Sequence, residues 1–282
     1  MFFDTHCHLN FGTFNGRVEE IVDRARQAGV DQIVIPGTDV PTSEKAVAIA
    51  EKFEGVFAAV GIHPHHVFEV FKARKQNFLS QRGPFLESEK NSISSLSKLL
   101  TNPKVVAIGE VGIDRHIYQK TKYPDYKIEE EFIELQKIFL KEQIKLAIKH
   151  NKSLILHSRE AKNDMLGLLE SVWDRKLEGR TVFHCCEPDS ELLEFAKEHK
   201  MFVGVDGDVI YYKEKQEFIK NVQMEMLVLE TDSPFLSPDR KFSNEPKNIK
   251  IIAEFIASLL NCSIDSLKKQ TTENAKRLFN CG

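Results

Sequence analysis

The chain has 282 residues, of which 41% are hydrophobic and 29% charged, and these proportions are typical of a globular protein and argue against disorder. Its net charge of −3 excludes capture of nucleic acid or membrane by bulk electrostatics, so any polyanion must meet a local basic patch. Apolar runs fall short of the ~18 residues that a membrane helix needs, and five cysteines without a Cys-x-x-Cys pair argue against a zinc knuckle or disulfide scaffold.

Short apolar β-type runs alternate with longer segments of helical periodicity along nearly the whole chain. The first run begins at Phe2, without the features of a signal peptide, so we expect a cytoplasmic protein. The predicted strands are 2–6, 32–36, 56–62, 105–110, 153–157, 181–184, 201–205 and 226–231. Strands spaced by helices favour parallel βαβ units, and eight such units predict a (β/α)8 TIM barrel, here as one domain over 1–282. A doubly wound open sheet is the alternative, because periodicity does not show closure.

Helical periodicity is clearest in three of the connecting segments. Residues 16–28, 42–53 and 128–150 each place apolar side chains on one helical face. Residues 67–101 are longer than one crossover needs. They predict one or two helices with a solvent-facing loop around Arg82-Gly83-Pro84.

Six potential metal ligands lie where predicted strands end, although they are far apart in the chain. They are His6, His8, Glu110, His157, His184 and Asp232. The carboxyl ends of parallel strands meet at one mouth of a barrel, where active sites form. Six converging ligands are enough to hold two divalent ions for hydrolysis. Each residue also has a structural alternative, such as a hydrogen-bonded core histidine, an ion pair or a helix N-cap.

Local spacing supports roles for three of these positions. His6 and His8 are two residues apart on a strand, so both imidazoles face the same side and can chelate one ion. A buried carboxylate at Glu110 requires a cation and can bridge two metals. Asp232 lies before Pro234, where a strand must end, and can bind a metal and accept a proton from water. Asp4 is either a hydrogen-bond partner of the pair or a turn residue.

Three further residues lie beside the proposed ligands. His63, His65 and Arg159 follow predicted strands and are candidates for substrate binding. The Arg159 guanidinium suits a phosphate oxygen pair, and a salt bridge to Glu160 or Asp164 is the alternative. For His63 the alternative is a purely structural role.

Residues 115–127 form a basic, aromatic segment directly after the strand that carries Glu110. Its tyrosines and lysines are Tyr118, Tyr123, Tyr126, Lys120, Lys122 and Lys127. Such a segment either stacks bases and attracts a nucleic-acid backbone, as in proteins that bind single strands, or forms a solvated lid with aromatic packing.

Six motifs, in order, resemble those of TatD-type metal-dependent deoxyribonucleases in the amidohydrolase superfamily. They are Asp4-Thr5-His6-Cys7-His8-Leu9, Gly61-Ile62-His63-Pro64-His65, Ile108-Gly109-Glu110-Val111-Gly112-Ile113-Asp114, His157-Ser158-Arg159, Phe183-His184-Cys185 and Glu230-Thr231-Asp232-Ser233-Pro234. The resemblance implies a (β/α)8 barrel with a divalent-metal centre and 3′-to-5′ nuclease activity on DNA. It also implies that the six residues above are the ligands and that Asp232 accepts the proton.

We therefore expect a phosphodiesterase that uses two divalent ions (Mg²⁺, Mn²⁺ or Zn²⁺) on single-stranded DNA or 3′ ends. The chain departs from the family pattern at 186–188, 204–208 and Ser243, near substrate-facing loops. One alternative is a hydrolase of small amides, lactones or phosphotriesters, although the strand ending at His157 lacks the nearby lysine that such enzymes often carbamylate. Another is a non-catalytic binding barrel with a structural metal, which would require closed coordination.

Overall fold

The computed structural model describes residues 1–77 and 85–281. Within these residues, eight parallel strands pair in chain order into one sheet. The strands are β1 (Phe2–Asp4), β2 (Val30–Pro36), β3 (Val56–Val60), β4 (Val105–Asp114), β5 (Ser153–Arg159), β6 (Thr181–Phe183), β7 (Phe202–Val205) and β8 (Leu227–Leu229). Helices alternate with the strands, which confirms the predicted (β/α)8 barrel.

Hydrogen bonds between the segments that follow β1 and β8 close the sheet. The backbone amide of Asp232 donates to the carbonyl oxygen of His6 over 2.9 Å. The buried Asp4 carboxylate accepts from the Thr231 amide at 3.0 Å and from its hydroxyl at 2.6 Å. The open-sheet alternative is therefore wrong. Closure of the sheet between β1 and β8 brings His6 and Asp232 together.

Ten helices surround the strands in the described part of the chain. They are α1 (Val18–Gln27), α2 (Val40–Ala50), α3 (Val67–Gln76), α4 (Glu87–Leu99), α5 (Glu130–His150), α6 (Lys162–Val172), α7 (Ser190–Glu198), α8 (Lys213–Ile219), α9 (Ile249–Leu259) and α10 (Ile264–Phe279). The three helices predicted from periodicity correspond to α1, α2 and α5. The 67–101 segment holds both α3 and α4, and its predicted loop at Arg82-Gly83-Pro84 lies outside the described residues. None of the described helices is long and apolar enough to cross a membrane.

The last residues of α10 close the end of the barrel opposite the carboxyl ends of the strands. Leu278 and Phe279 join a buried cluster to which every one of the eight strands contributes. The rings of Phe3 and Phe279 lie 5.8 Å apart between centroids. Because apolar side chains fill this end, the polar ligands can gather only at the carboxyl ends of the strands.

β4 extends four residues beyond its predicted end and contains a bulge. Its pairing with β5 shifts register between Ile108 and Val111, so one extra residue is accommodated there. A bulge bends the strand and changes the direction of a side chain. Glu110 therefore lies inside β4, and Asp114 takes the position at the end of the strand.

Candidate metal centre

One group of four donor atoms gathers at the mouth of the barrel, from β4 and from the segments that follow β1 and β8. The Nε2 atoms of His6 and His8 lie 3.1 Å apart. Both lie close to Oε2 of Glu110, at 3.4 and 3.5 Å, and to Oδ1 of Asp232, at 3.7 and 3.4 Å. His6 is fully buried, and the other three side chains are at most 14% exposed.

These distances match the edges of a metal coordination polyhedron. Nitrogen and oxygen ligands lie about 2.1 Å from a divalent ion such as zinc, which separates tetrahedral ligands by about 3.4 Å. The observed separations of 3.1 to 3.7 Å surround that value. Imidazole and carboxylate are also ligand types that divalent ions accept, so the group fits one ion.

A second group of donors lies on the other side of Glu110. Its Oε1 atom is 2.8 Å from Nδ1 of His157 and 3.5 Å from Nε2 of His184. These three side chains can hold an ion together. The two carboxylate oxygens of Glu110 thus face different ligand groups.

Charge inside the centre is balanced by neighbouring groups. Burial raises the pKa of Glu110, but its neighbours, led by His63 and His184, outweigh burial and hold that pKa well below its usual range. Burial also opposes ionisation of Asp232, whose pKa is nevertheless lowered, mainly by its contact with His8. Both carboxylates are therefore anionic at neutral pH, as metal ligands must be.

The histidines respond in two different ways. Burial lowers the pKa of His6 to about 4, with His184 adding to the effect. Burial also acts against protonation of His8, His157 and His184, but nearby carboxylates outweigh it and raise their pKa values to about 9, about 10 and about 9. In the metal-free protein these three imidazoles carry protons at pH 7.

Two carboxylates contact the ring nitrogens of His157 and His184 that do not face Glu110. Glu230 lies 3.1 Å from Nδ1 of His184, and Asp114 lies 3.1 Å from Nε2 of His157. Such partners fix the ring orientation and raise ligand basicity. No role is predicted for Glu230 from the sequence, although its spacing of two residues from Asp232 could have indicated one, and Asp114 enters there only as the end of a motif.

His63 is positioned as a hydrogen-bond donor. Its Nδ1 accepts from the backbone amide of His65 at 3.1 Å, so in the neutral ring the proton lies on Nε2. That Nε2 is 3.3 Å from Oε1 of Glu110, and burial lowers the pKa of His63. A neutral Nε2–H aimed at the centre can donate to a substrate oxygen.

Arg159 lies at the mouth without a carboxylate partner in the described part of the chain. Its guanidinium donates to the Tyr118 hydroxyl at 3.4 Å and lies 5.3 Å above that ring. The alternative salt bridges are not formed, because Glu160 pairs with His116 and Asp164 pairs with Arg115 and Lys137. The exposed cation is free to meet an anionic substrate.

The three tyrosines of the 115–127 segment differ in their surroundings. Tyr123 is 6% exposed, and Tyr126 packs on Phe68 with ring centroids 4.9 Å apart. Tyr118 donates to the Asp114 carboxylate at 2.6 Å. His65 lies among these rings and contacts Thr121 at 2.7 Å. Aromatic packing therefore describes Tyr123 and Tyr126, and neither is free to stack a base.

A cleft of about 710 Å³ opens over the metal centre. Lys120 and Arg159 line it after β4 and at the end of β5, and Phe11, Tyr212 and Phe235 line it after β1, β7 and β8. Ligand sites of several hundred Å³ accept small molecules or short stretches of polymer. The cleft is open at the surface, so a chain substrate can extend beyond it.

Sequence and structure comparisons agree over nearly the full chain. Residues 3–280 match the family described as TatD related DNase. The chain is 31% identical to the "Uncharacterized metal-dependent hydrolase YabD" of Bacillus subtilis, covering 99% of both chains. It is 29% identical to the "3'-5' ssDNA/RNA exonuclease TatD" of Edwardsiella piscicida, covering 98% of both. The crystal structure of the TatD homologue YJJV from Escherichia coli superposes with a TM-score of 0.80 at 28% identity, over 99% of this chain and 98% of that one.

Proposed function

This chain belongs to the TatD-related DNases, metal-dependent hydrolases of phosphodiester bonds, and from that premise we propose that it removes nucleotides from the 3′ end of DNA with two divalent ions. Two of the six proposed ligands follow β1, one lies in β4 and one in β5, and one each follows β6 and β8. Mg²⁺, Mn²⁺ and Zn²⁺ all suit such donors. We further propose a cytoplasmic location and a DNA substrate presented as a single strand or a free 3′ end.

The Glu110 carboxylate is the observation that carries the proposal. Its Oε2 lies within 3.5 Å of two imidazole nitrogens of the first ligand group, and its Oε1 lies within 3.5 Å of two imidazole nitrogens of the second. A carboxylate shared in this way supports two ions held close together. Two divalent ions held by the six ligands would supply a nucleophilic water near neutral pH and would offset the charge that builds on the phosphoryl oxygens.

The protein's own residues divide the remaining work. Asp232 accepts the proton of the attacking water at the carboxylate oxygen that does not serve as a ligand, and can return it to the leaving oxygen. His63 donates from Nε2 to a phosphoryl oxygen, and Arg159 binds the phosphate from the rim of the cleft. His65 supports His63 through its backbone amide. The buried position of the centre restricts competing water.

Two isosteric variants test the centre. Glu110→Gln and Asp232→Asn remove one charge each while keeping size, and Asp232 has a positive φ of 51° that asparagine tolerates. We expect each to lower kcat on 3′-labelled single-stranded DNA by at least roughly 10²-fold, the scale of a lost general base. Asp265→Asn, at the exposed start of α10, is the matched control. Full activity in both site variants would refute the assignment.

The rival activity on small molecules is tested with the same preparation. Metal-stripped protein reloaded with each ion is assayed on 5′-labelled DNA, on a lactone panel and on a phosphotriester. Stepwise shortening from the 3′ end supports the proposal. Hydrolysis of lactone or triester without any cleavage of DNA supports the rival, and metal binding without turnover supports the binding-barrel alternative.

A further inference from the structure

Exposed aromatic side chains are concentrated on one side of the cleft. Seven large hydrophobic side chains are exposed among the described residues, and four of them lie on the two loops that follow β7 and β8. These four are Tyr211, Tyr212, Phe235 and Phe242. Clustered exposed apolar surface marks a binding site more often than isolated residues do.

Two of these four side chains, together with Phe11 from the segment after β1, line the cleft itself. We define the aromatic rim as Phe11, Tyr212 and Phe235. The ring of Phe235 is 51% exposed, and its centroid lies 6.3 Å from that of the proposed ligand His8. Phe11 stacks flat on His8 at 4.2 Å and meets Phe235 edge to face at 6.1 Å. The rim therefore begins directly beside the metal centre.

Contacts between the two loops hold the rim in place. The Arg240 guanidinium lies 4.1 Å above the Tyr211 ring and 5.3 Å from the centroid of Tyr212. The Tyr211 hydroxyl donates to the carbonyl oxygen of Pro238. A rim ordered before binding loses little conformational entropy when a ligand stacks on it.

Charges divide the cleft into two unlike sides. Lys120 and Arg159 line the side formed after β4 and β5, where a phosphate backbone is attracted. Asp208 and Glu214 line the side of the aromatic rim and repel phosphate. Lys215 lies there too, but Asp206 pairs with it at 2.7 Å.

We propose that the aromatic rim stacks a nucleobase next to the scissile phosphodiester of a single strand, while the backbone lies along Arg159 and Lys120. This inference rests on the proposed function and adds to it an orientation of the strand. Every nucleobase has a π-face, so stacking on Phe235 selects unpaired nucleotides without selecting a sequence. A base held in a duplex cannot offer that face.

The test uses the full chain loaded with its preferred metal. Single-stranded oligonucleotides carry either a normal nucleotide or a tetrahydrofuran abasic nucleotide at one of the two 3′-terminal positions. Wild type should show a KM for the base-bearing substrate that is lower by roughly 5- to 150-fold at one position, the range of a single base–aromatic stack. In Phe235→Ala this preference should fall toward one, and Phe235→Trp should restore it.

Phe242→Ala is the matched control, since Phe242 is 70% exposed but lies outside the described residues that line the cleft; it should keep the wild-type preference. If Phe235→Ala still cleaves DNA with an unchanged preference, the stacking role of the aromatic rim is contradicted and the proposed function is not. A wild type that cleaves no DNA overturns the proposed function and the rim with it. A wild-type dimer that Phe235→Ala converts to monomers overturns the inference in favour of a second copy on the rim.

Discussion

At the scale of single residues, the metal centre depends on Glu110. Its carboxylate lies within 3.5 Å of five imidazoles. They belong to His6, His8, His63, His157 and His184. Burying such a carboxylate alone would be costly, and these neighbours keep it ionised. The anion is thus present before any cation binds, which prepares the site for a positively charged ligand.

A Glu230 variant tests whether a residue that contacts a proposed ligand affects the affinity of the centre for metal. The Glu230 carboxylate lies 3.1 Å from Nδ1 of His184 and accepts from the backbone amide of Cys185. Glu230→Gln should weaken binding of the second ion by roughly 10- to 100-fold, the usual effect of losing such a partner. Calorimetric titration with Mn²⁺ measures this. Glu225→Gln, at a position before β8, is the control; equal affinity in both variants would contradict the role.

At the scale of secondary-structure elements, a buried ion pair joins α3 to α4. Arg74 and Glu89 are each 1% exposed, and the guanidinium donates through Nε at 2.8 Å and Nη2 at 2.6 Å. Glu89 also accepts from the Leu86 amide at the start of α4, at 2.9 Å. The pair thus fixes the helices of the long third connection against the barrel.

Removing one partner of this pair should destabilise the protein strongly. Glu89→Gln removes the buried negative charge that faces the Arg74 guanidinium, and we expect a loss of about 3–5 kcal/mol in the free energy of unfolding. The double variant Arg74→Met/Glu89→Leu removes both charges and should lose less. Urea unfolding of the two proteins, beside Glu87→Gln as an exposed control, checks this order. A double variant less stable than Glu89→Gln would show that the pair contributes net stability.

At the scale of the whole molecule, metal binding is coupled to protons and to stability. His8, His157 and His184 have pKa values of about 9, about 10 and about 9, above the 6.5 of a free histidine. Each must lose its proton before it binds an ion. Metal binding at pH 7 should therefore release protons, and affinity should rise as pH increases toward 9.

The same shifts predict that the stability of the metal-free protein falls as pH rises, whereas the stability that bound metal adds grows. A raised pKa contributes stability that is fully present below pH 6.5 and is lost as pH rises through the folded values near 9 to 10. The metal-free protein should thus melt at lower temperature at pH 9 than at pH 7. A metal concentration fixed at a hundred times the Kd measured at pH 7 should add roughly 3 kcal/mol at pH 7 and more at pH 9. Thermal melts with and without Mn²⁺ at both pH values measure the trend, and a metal-induced increase that is smaller at pH 9 would contradict it.

Much of the fold could be predicted because its signals are local. The apolar runs around Phe3, Val34 and Val228 report strands that are buried, and helical periodicity reports α5 over most of its length. Strand ends were predicted less well, and β4 illustrates the reason. Its bulge at Gly109 and Glu110 depends on pairing with β5, which periodicity within one strand does not encode.

The sequence by itself determined the alternation of strands and helices, the family resemblance and a set of six residues chemically able to bind metals, since residue type and strand position are local properties. Only the tertiary structure decided that Glu110 faces both ligand groups, that Glu230 supports His184 and that Phe235 borders the cleft. Those relations join segments remote in the chain. They arise when β8 meets β1 and the bulge in β4 turns a side chain, and distances of a few ångströms follow only from that closure.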